Sequence, residues 1–196
     1  MLTEIFILCL LAYLCGSVPF GVLLAKTQNM DIREHGSGNI GATNVARTMG
    51  KKAGLITLAG DVLKGLLVVF IASQWFDSTM VTALAGLAVF LGHLYSIFLK
   101  FKGGKGVATG LGLLSFAMPL STLCSAGVFA ISLKISGYVS LSSILAAISL
   151  PLLGIFFKMP LPYIYLATIV ALFTLQKHHD NIVRLTQGTE AIFFKK

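Results

Sequence analysis

The chain has 196 residues, of which 56% are hydrophobic and only 11% charged, and its mean hydropathy is +0.89. A soluble domain carries about 25% charged residues, so this composition excludes a soluble globular protein, a disordered chain and a disulfide scaffold. The formal charge of +8 sits mostly in short breaks between apolar runs, the pattern that orients membrane helices, and gives no reason to expect nucleic acid as a partner.

The first apolar run, 2–25, is interrupted by Gly16-Ser17-Val18-Pro19 and closed by Lys26. A proline there predicts a kinked span. Glu4 stands where a signal peptide would be positive, and no A-x-A-like site follows, so a retained span is expected. A long polar stretch, Lys26 to Lys52, holds Gly36 to Asn44 and then Arg47. The second and third spans are predicted over about Ala53–Ser73 and Met80–Leu99, separated by a segment without Lys or Arg. A second polar break reads Lys-Phe-Lys-Gly-Gly-Lys-Gly, from Lys100 to Gly106.

Val107 to Leu133 admits two readings, because Pro119 falls near its middle. One tilted helix about 40 Å long fits, and so do two short helices turning near Pro119. Residues 137–157 and about 161–176 supply two more spans, and a basic tail begins at Lys177. The cysteines Cys9, Cys15 and Cys124 lie in apolar segments without metal-ligand spacing and are expected to be small core residues.

Charge bias chooses the span count. With seven spans and the N-terminus outside, Lys26, Arg33, Arg47, Lys51, Lys52, Lys100, Lys102, Lys105, Lys134, Lys177, Arg184, Lys195 and Lys196 all fall inside, and only Lys158 falls outside. Six spans would send Lys134 and the tail to the other face, against the positive-inside rule. The expected fold is therefore all-α: a polytopic membrane protein of seven transmembrane helices with a cytoplasmic C-terminus, forming one domain over 1–196.

That parity puts three polar segments on one face: Ser37–Arg47, Lys100–Gly106 and Lys177–Glu190. They gather Arg47, Lys105 and Arg184 with the hydroxyls and amides of Ser37, Thr43, Asn44 and Asn181. Arg offers a bidentate fork, Lys a point charge and the others neutral hydrogen bonds, which together suit an anion. Gly36, Gly38, Gly41, Gly103, Gly104 and Gly106 can turn successive N–H groups into a phosphate-binding nest. Gly103 and Gly104 are favoured for phosphate, and Gly110 and Gly112 for close helix packing. Gly104-Lys105-Gly106 is not a Walker A loop, since no Ser or Thr follows the lysine.

Asp61 and Lys64, three residues apart in an apolar helix, share a face and read as a structural pair. His93 reads as a hydrogen-bonding strut. His178 and Asn181 share a face if the tail is helical. A small transporter for an anionic phosphorylated metabolite would also place basic groups near helix ends. Against it, the span interiors hold few ionisable groups beyond Asp61 and Lys64, and no internal repeat is visible.

Ser37-Gly38-Asn39-Ile40-Gly41-Ala42-Thr43-Asn44 resembles the first signature of the bacterial acyl-phosphate:glycerol-3-phosphate acyltransferases. Gly92-His93, Phe98, Phe101 and Gly103-Gly104-Lys105-Gly106-Val107-Ala108 resemble the second. His178, Asn181-Ile182, Arg184-Leu185, Gly188 and Glu190 resemble the third. His179 departs from the arginine common at that position and is assigned no role.

The resemblance implies a seven-helix enzyme of the bacterial inner membrane with a cytoplasmic active site. It would transfer a fatty acyl group from acyl phosphate to the 1-hydroxyl of sn-glycerol 3-phosphate, giving lysophosphatidic acid and inorganic phosphate at the start of phospholipid synthesis. Acyl-CoA and acyl carrier protein would not be direct donors, and no cofactor or metal is implied. By matching position, Ser37, Arg47, Lys105, His178 and Asn181 would bind glycerol 3-phosphate, while the loop around Gly103 and Gly104 would hold acyl phosphate. Asn39, Thr43, Asn44, His93, Arg184 and Glu190 complete the binding residues expected, with His178, Lys105 and Arg47 closest to the chemistry. Direct transfer is expected, the hydroxyl proton going to the donor's phosphate oxygen or to His178.

Overall fold

In the computed structural model, residues 1–193 are described, and they contain helices and no strand. Long apolar stretches with no access to water leave the backbone only itself to hydrogen-bond to, and helices satisfy that demand segment by segment. The α-helices are α1 Leu2–Ser17, α2 Phe20–Lys26, α3 Ala42–Met49, α4 Lys51–Trp75, α5 Thr79–Leu94, α6 Val107–Ala117, α7 Pro119–Ser136, α8 Val139–Phe156, α9 Leu161–Lys177 and α10 His179–Thr186. Single 3-10 turns cover Ile32–Glu34 and Ile97–Leu99. Lys195 and Lys196, counted among the inner charges, lie outside the described residues.

Among the described residues, four stretches are long and apolar enough to cross a bilayer: α4, Thr79–Leu99, α7 and α8. α1 and α2 make a fifth if the bent pair is one span. α6 and α9 are apolar but shorter, at 11 and 17 residues, and an 11-residue helix reaches only about 16 Å. Large apolar side chains such as Phe6, Trp75, Ile135 and Phe156 point outward, as expected where lipid replaces water.

The expected kink is a break. Pro19 cannot donate, so the helix ends at Ser17 and resumes at Phe20 after a 41° bend. The carbonyls exposed there find side-chain donors. Ser96 Oγ donates to Ser17 O at 2.6 Å, and Lys64 Nζ donates to Val18 O at 2.9 Å. Of the two readings of 107–133, the two-helix one is observed: α6 stops before Met118, and Pro119 opens α7 at a position where its missing N–H costs nothing.

The helices pack as two compact units, Met1–Phe116 and the segment from Ala117 onward. In the first, α1 crosses α5 at backbone contact distance: a Cβ on Gly16 would meet the Val89 carbonyl, and one on Gly92 the Tyr13 carbonyl. Gly112 does the same for α6 against Val62 of α4, which is the packing role expected for it. In the second unit Ser125 Oγ of α7 donates to Ala146 O of α8 at 2.8 Å. The three cysteines are free and only half-buried on α1 and α7, so they border the core instead of filling it.

Candidate functional site

The first polar loop is built around one side chain. Asn44, in the first turn of α3, is 1% exposed. Its Nδ2 donates to the carbonyls of Ile32, His35 and Asn39 at 3.2, 2.9 and 2.9 Å, and its Oδ1 accepts the Ser37 N–H at 2.8 Å. The loop closes on itself because Gly36 and Gly38 adopt φ of +61° and +70°, conformations that side chains resist. Asn39 Oδ1 accepts the Gly41 N–H at 3.3 Å. Asn44 was expected to meet substrate, but its amide is spent on the backbone, so it shapes the loop. Ser37 and Arg47 are exposed, with Thr43 and Asn39 half-buried. Arg47 sits in the last turn of α3.

A single apolar cluster carries both loops of this unit. Ile32 and Ile40 bracket the first loop, Leu99 leads into the second, and all three pack with Val22, Ala25, Val45 and Ala53.

The second loop differs from the nest expected of it. The Gly103 N–H donates to Leu94 O and the Gly104 N–H to His93 O, each at 3.1 Å, so those two amides are taken by the backbone of α5. Neither glycine has a positive φ, and Gly41 lacks one too, whereas Gly106 does at +82°. Gly103 and Gly104 are needed for proximity: a Cβ on Gly103 would strike His93 O, and one on Gly104 would strike His93 Nε2. The left-handed turn comes instead from Lys100 and Phe101, at φ +52° and +63°, which sequence reasoning missed because neither is a glycine. Lys105 follows, half-buried, just ahead of the α6 N-terminus.

His93 is 4% exposed and does more than brace a helix. Its Nδ1 faces Asp61 Oδ1 at 3.5 Å, and the same oxygen is 2.8 Å from Lys64 Nζ. Lys64 also lies over the Phe20 ring, 5.8 Å from its centroid. The pair expected from sequence is a trio.

In the second unit, His178 joins α9 to α10 and is 3% exposed. Its Nδ1 lies 2.8 Å from Thr174 O. A carbonyl only accepts, so Nδ1 carries the proton, which in the neutral form of the ring leaves the lone pair on Nε2. Glu190 organises the other residues of this tail. Ser140 Oγ and Asn181 Nδ2 donate to its Oε1, and Arg184 Nε donates to its Oε2, all at 2.7 Å. Burial alone would raise the Glu190 pKa. The hydrogen bonds from Ser140, Asn181 and Arg184, with the Arg184 charge, outweigh it and hold the carboxyl below its usual range. Glu190 was expected among the substrate-binding residues; in the structure its carboxylate is filled by three protein donors and shared with Asn181 and Arg184. Ser140 carried no sequence signal, since a lone serine on an apolar helix is unremarkable.

These features define a class: an integral membrane protein whose polar segments carry Arg47, Lys105 and Arg184, cations suited to anionic ligands. The sequence model of the glycerol-3-phosphate acyltransferases matches residues 6–188, and the chain belongs to that family. The glycerol-3-phosphate acyltransferase of Trichlorobacter lovleyi is 49% identical over 93% of this chain and 94% of its own length. That of Geotalea daltonii is 48% identical over 98% of this chain and 99% of its own. Among solved structures, PlsY (YgiH), an integral membrane glycerol 3-phosphate acyltransferase, matches in its glycerol 3-phosphate form with a TM-score of 0.94 at 41% identity, covering 97% of this chain and 96% of that one. Its lysophosphatidic acid form matches with a TM-score of 0.90 at 40% identity, covering 96% and 95%.

Proposed function

We propose that this protein transfers a fatty acyl group from acyl phosphate to the 1-hydroxyl of sn-glycerol 3-phosphate, yielding lysophosphatidic acid and inorganic phosphate. The observation that carries the reading is the full-length likeness to an enzyme solved with the acceptor and with the acylated product. In this reading Ser37, Arg47, Lys105, His178 and Asn181 bind glycerol 3-phosphate, and the loop around Gly103 and Gly104 holds the donor phosphate. Asn39, Thr43 and Arg184 add hydrogen bonds, whereas Asn44, His93 and Glu190 position their neighbours. The donor's alkyl chain stays among apolar helices or in lipid while its head meets the polar loops.

The chemistry needs little beyond placement and charge. An acyl phosphate is a mixed anhydride with a good leaving group, so holding the hydroxyl near the acyl carbon and stabilising developing negative charge supply much of the acceleration. The hydroxyl oxygen forms its bond to the acyl carbon as the carbon–oxygen bond to phosphate breaks, and phosphate departs with the electron pair. The proton passes to that phosphate or to Nε2 of His178, whose tautomer the Thr174 carbonyl supports. His178→Gln separates the two routes: loss of the acid limb in the kcat profile assigns the proton to His178, and its retention assigns it to the phosphate.

We read the topology as seven spans, with α6 and α7 as two separate passes, the short α6 crossing where the bilayer thins to meet it, one catalytic domain, the N-terminus outside and the polar loops on the cytoplasmic side of the inner membrane. Its support is the clustering of Lys and Arg in alternate loops. The direct test is release of phosphate and formation of lysophosphatidic acid when purified protein receives both substrates. No turnover in lipid or detergent overturns the reading and favours transport. An acyl-enzyme trapped by mass spectrometry with donor alone overturns direct transfer.

A further inference from the structure

Three ionisable side chains inside the first unit form a line that ends at the second polar loop. Asp61 and Lys64 stand one turn apart on α4, 2% and 4% exposed. Asp61 Oδ1 meets Lys64 Nζ on one side and His93 Nδ1 on the other. Across the ring, His93 Nε2 lies against Gly104 so closely that no Cβ would fit there. The same residue's carbonyl accepts the Gly104 N–H at 3.1 Å. His93 therefore grips Gly104 through its backbone and its ring, and Asp61 faces the far edge of that ring.

Stability alone does not account for the trio. Replacing a buried ion pair by apolar residues of similar volume is often neutral or stabilising, and ionisable groups inside membrane helices generally mark function. A pair meant only for packing would be complete with Asp61 and Lys64. The third member is the one that touches the loop. Lys64 adds a fixed point, because its Nζ also donates to Val18 O at 2.9 Å, which ties Asp61 to the break between α1 and α2.

On the reading that this loop holds the donor phosphate, we propose that Asp61 is a positioning residue for acyl transfer: through His93 it sets the height and tilt of Gly103–Gly104, and so the seat that the two glycines offer to acyl phosphate. The contact is mechanical. Asp61 fixes the ring, the ring limits how near the α5 end Gly104 can settle, and the two backbone hydrogen bonds to Leu94 and His93 hold it at that distance. Reacting groups displaced by about 1 Å can cost up to a hundredfold in rate, so an indirect support of this kind has a measurable effect.

Asp61→Asn alone would strand the buried Lys64 charge, so the informative variant is Asp61→Asn with Lys64→Met, which leaves neither charge. Its expected signature is a KM for acyl phosphate raised about tenfold, with the KM for glycerol 3-phosphate held within about twofold. His93→Asn keeps a polar group toward Asp61 but removes the ring edge at Gly104, and should give the same split. Combining all three changes should cost no more than His93→Asn alone, because the Asp61 effect passes through that ring.

Amide exchange supplies a readout that needs no turnover. In both variants the Gly103 and Gly104 amides should exchange about tenfold faster, while the Ser37 amide is unchanged. Unaltered exchange at Gly103 and Gly104 overturns the positioning role, as do equal shifts of both KM values or independent, multiplying effects of Asp61 and His93. If exchange rises as expected but wild-type protein with both substrates gives no product, the loop support stands and the acyltransferase reading is the part that fails.

Discussion

Asn44 Oδ1 occupies the space into which any side chain on Gly36 would project. The first polar loop thus depends on a matched pair, one residue with nothing beyond Cα and one whose amide fills the gap. Gly36→Ala adds both a collision and a left-handed alanine, and the conformation alone costs about 1 kcal/mol. Asn44→Ala leaves three carbonyls and one N–H without their partner. Asn44→Asp should be no better, since a carboxylate cannot donate to carbonyls. All three should lower thermal stability in detergent and cut acyl transfer at least about tenfold.

Arg47→Ala and Lys105→Ala should each reduce activity by at least about tenfold if they clamp phosphate. Lys158→Ala, outside both polar loops, should change it less than about twofold. Rates of lysophosphatidic acid formation check this, and equal activity in all three variants would leave these cations a role in topology only.

Gly103→Ala and Gly104→Ala should separate. The obstacle at Gly103 is the His93 carbonyl oxygen, part of the α5 backbone, whereas at Gly104 it is the edge of the His93 ring, a side chain that yields at the expense of its contact with Asp61. Gly103→Ala is expected to cost several times more activity, read as kcat/KM for acyl phosphate at saturating glycerol 3-phosphate.

Glu190 gives a pH dependence with a definite sign. Its folded pKa lies below the ordinary value of 4.5, so the stabilisation it provides is complete above that value and fades as the pH falls through the lower folded one. Glu190→Gln should lower Tm near neutral pH by about 3–6 °C. The gap to wild type should close in acid, once the native carboxylate is itself protonated. A gap that is constant from pH 7 down to pH 3, in a titration of Tm, would assign Glu190 a role in packing alone.

What the sequence made legible is local. Apolar runs and their interruptions at Pro19 and Pro119 mark the helix breaks because hydropathy and a missing N–H act where they stand. Asp61 and Lys64 were recognisable as a pair because three residues is one helical turn. His93 was not joined to them, since only the packing of α5 on α4 brings its ring to Asp61. The conformation of Gly103 and Gly104 was not legible for the same reason: it depends on what lies opposite, and that is the His93 ring and carbonyl. Glu190 looked like part of a signature, but its partners, including Ser140 some fifty positions earlier, decide that it faces inward.

The break after Ser17 bears on how the chain is made. Its two bare acceptors are satisfied by Lys64 and Ser96, residues that leave the ribosome dozens of steps later. The opening segment thus enters the bilayer unfinished, and only when the third apolar stretch, which ends in Ser96, has been inserted can it adopt its mature shape. Biogenesis of this half is cooperative over roughly the first hundred residues, and a nascent chain stalled shorter than that should remain open to proteolysis at Pro19.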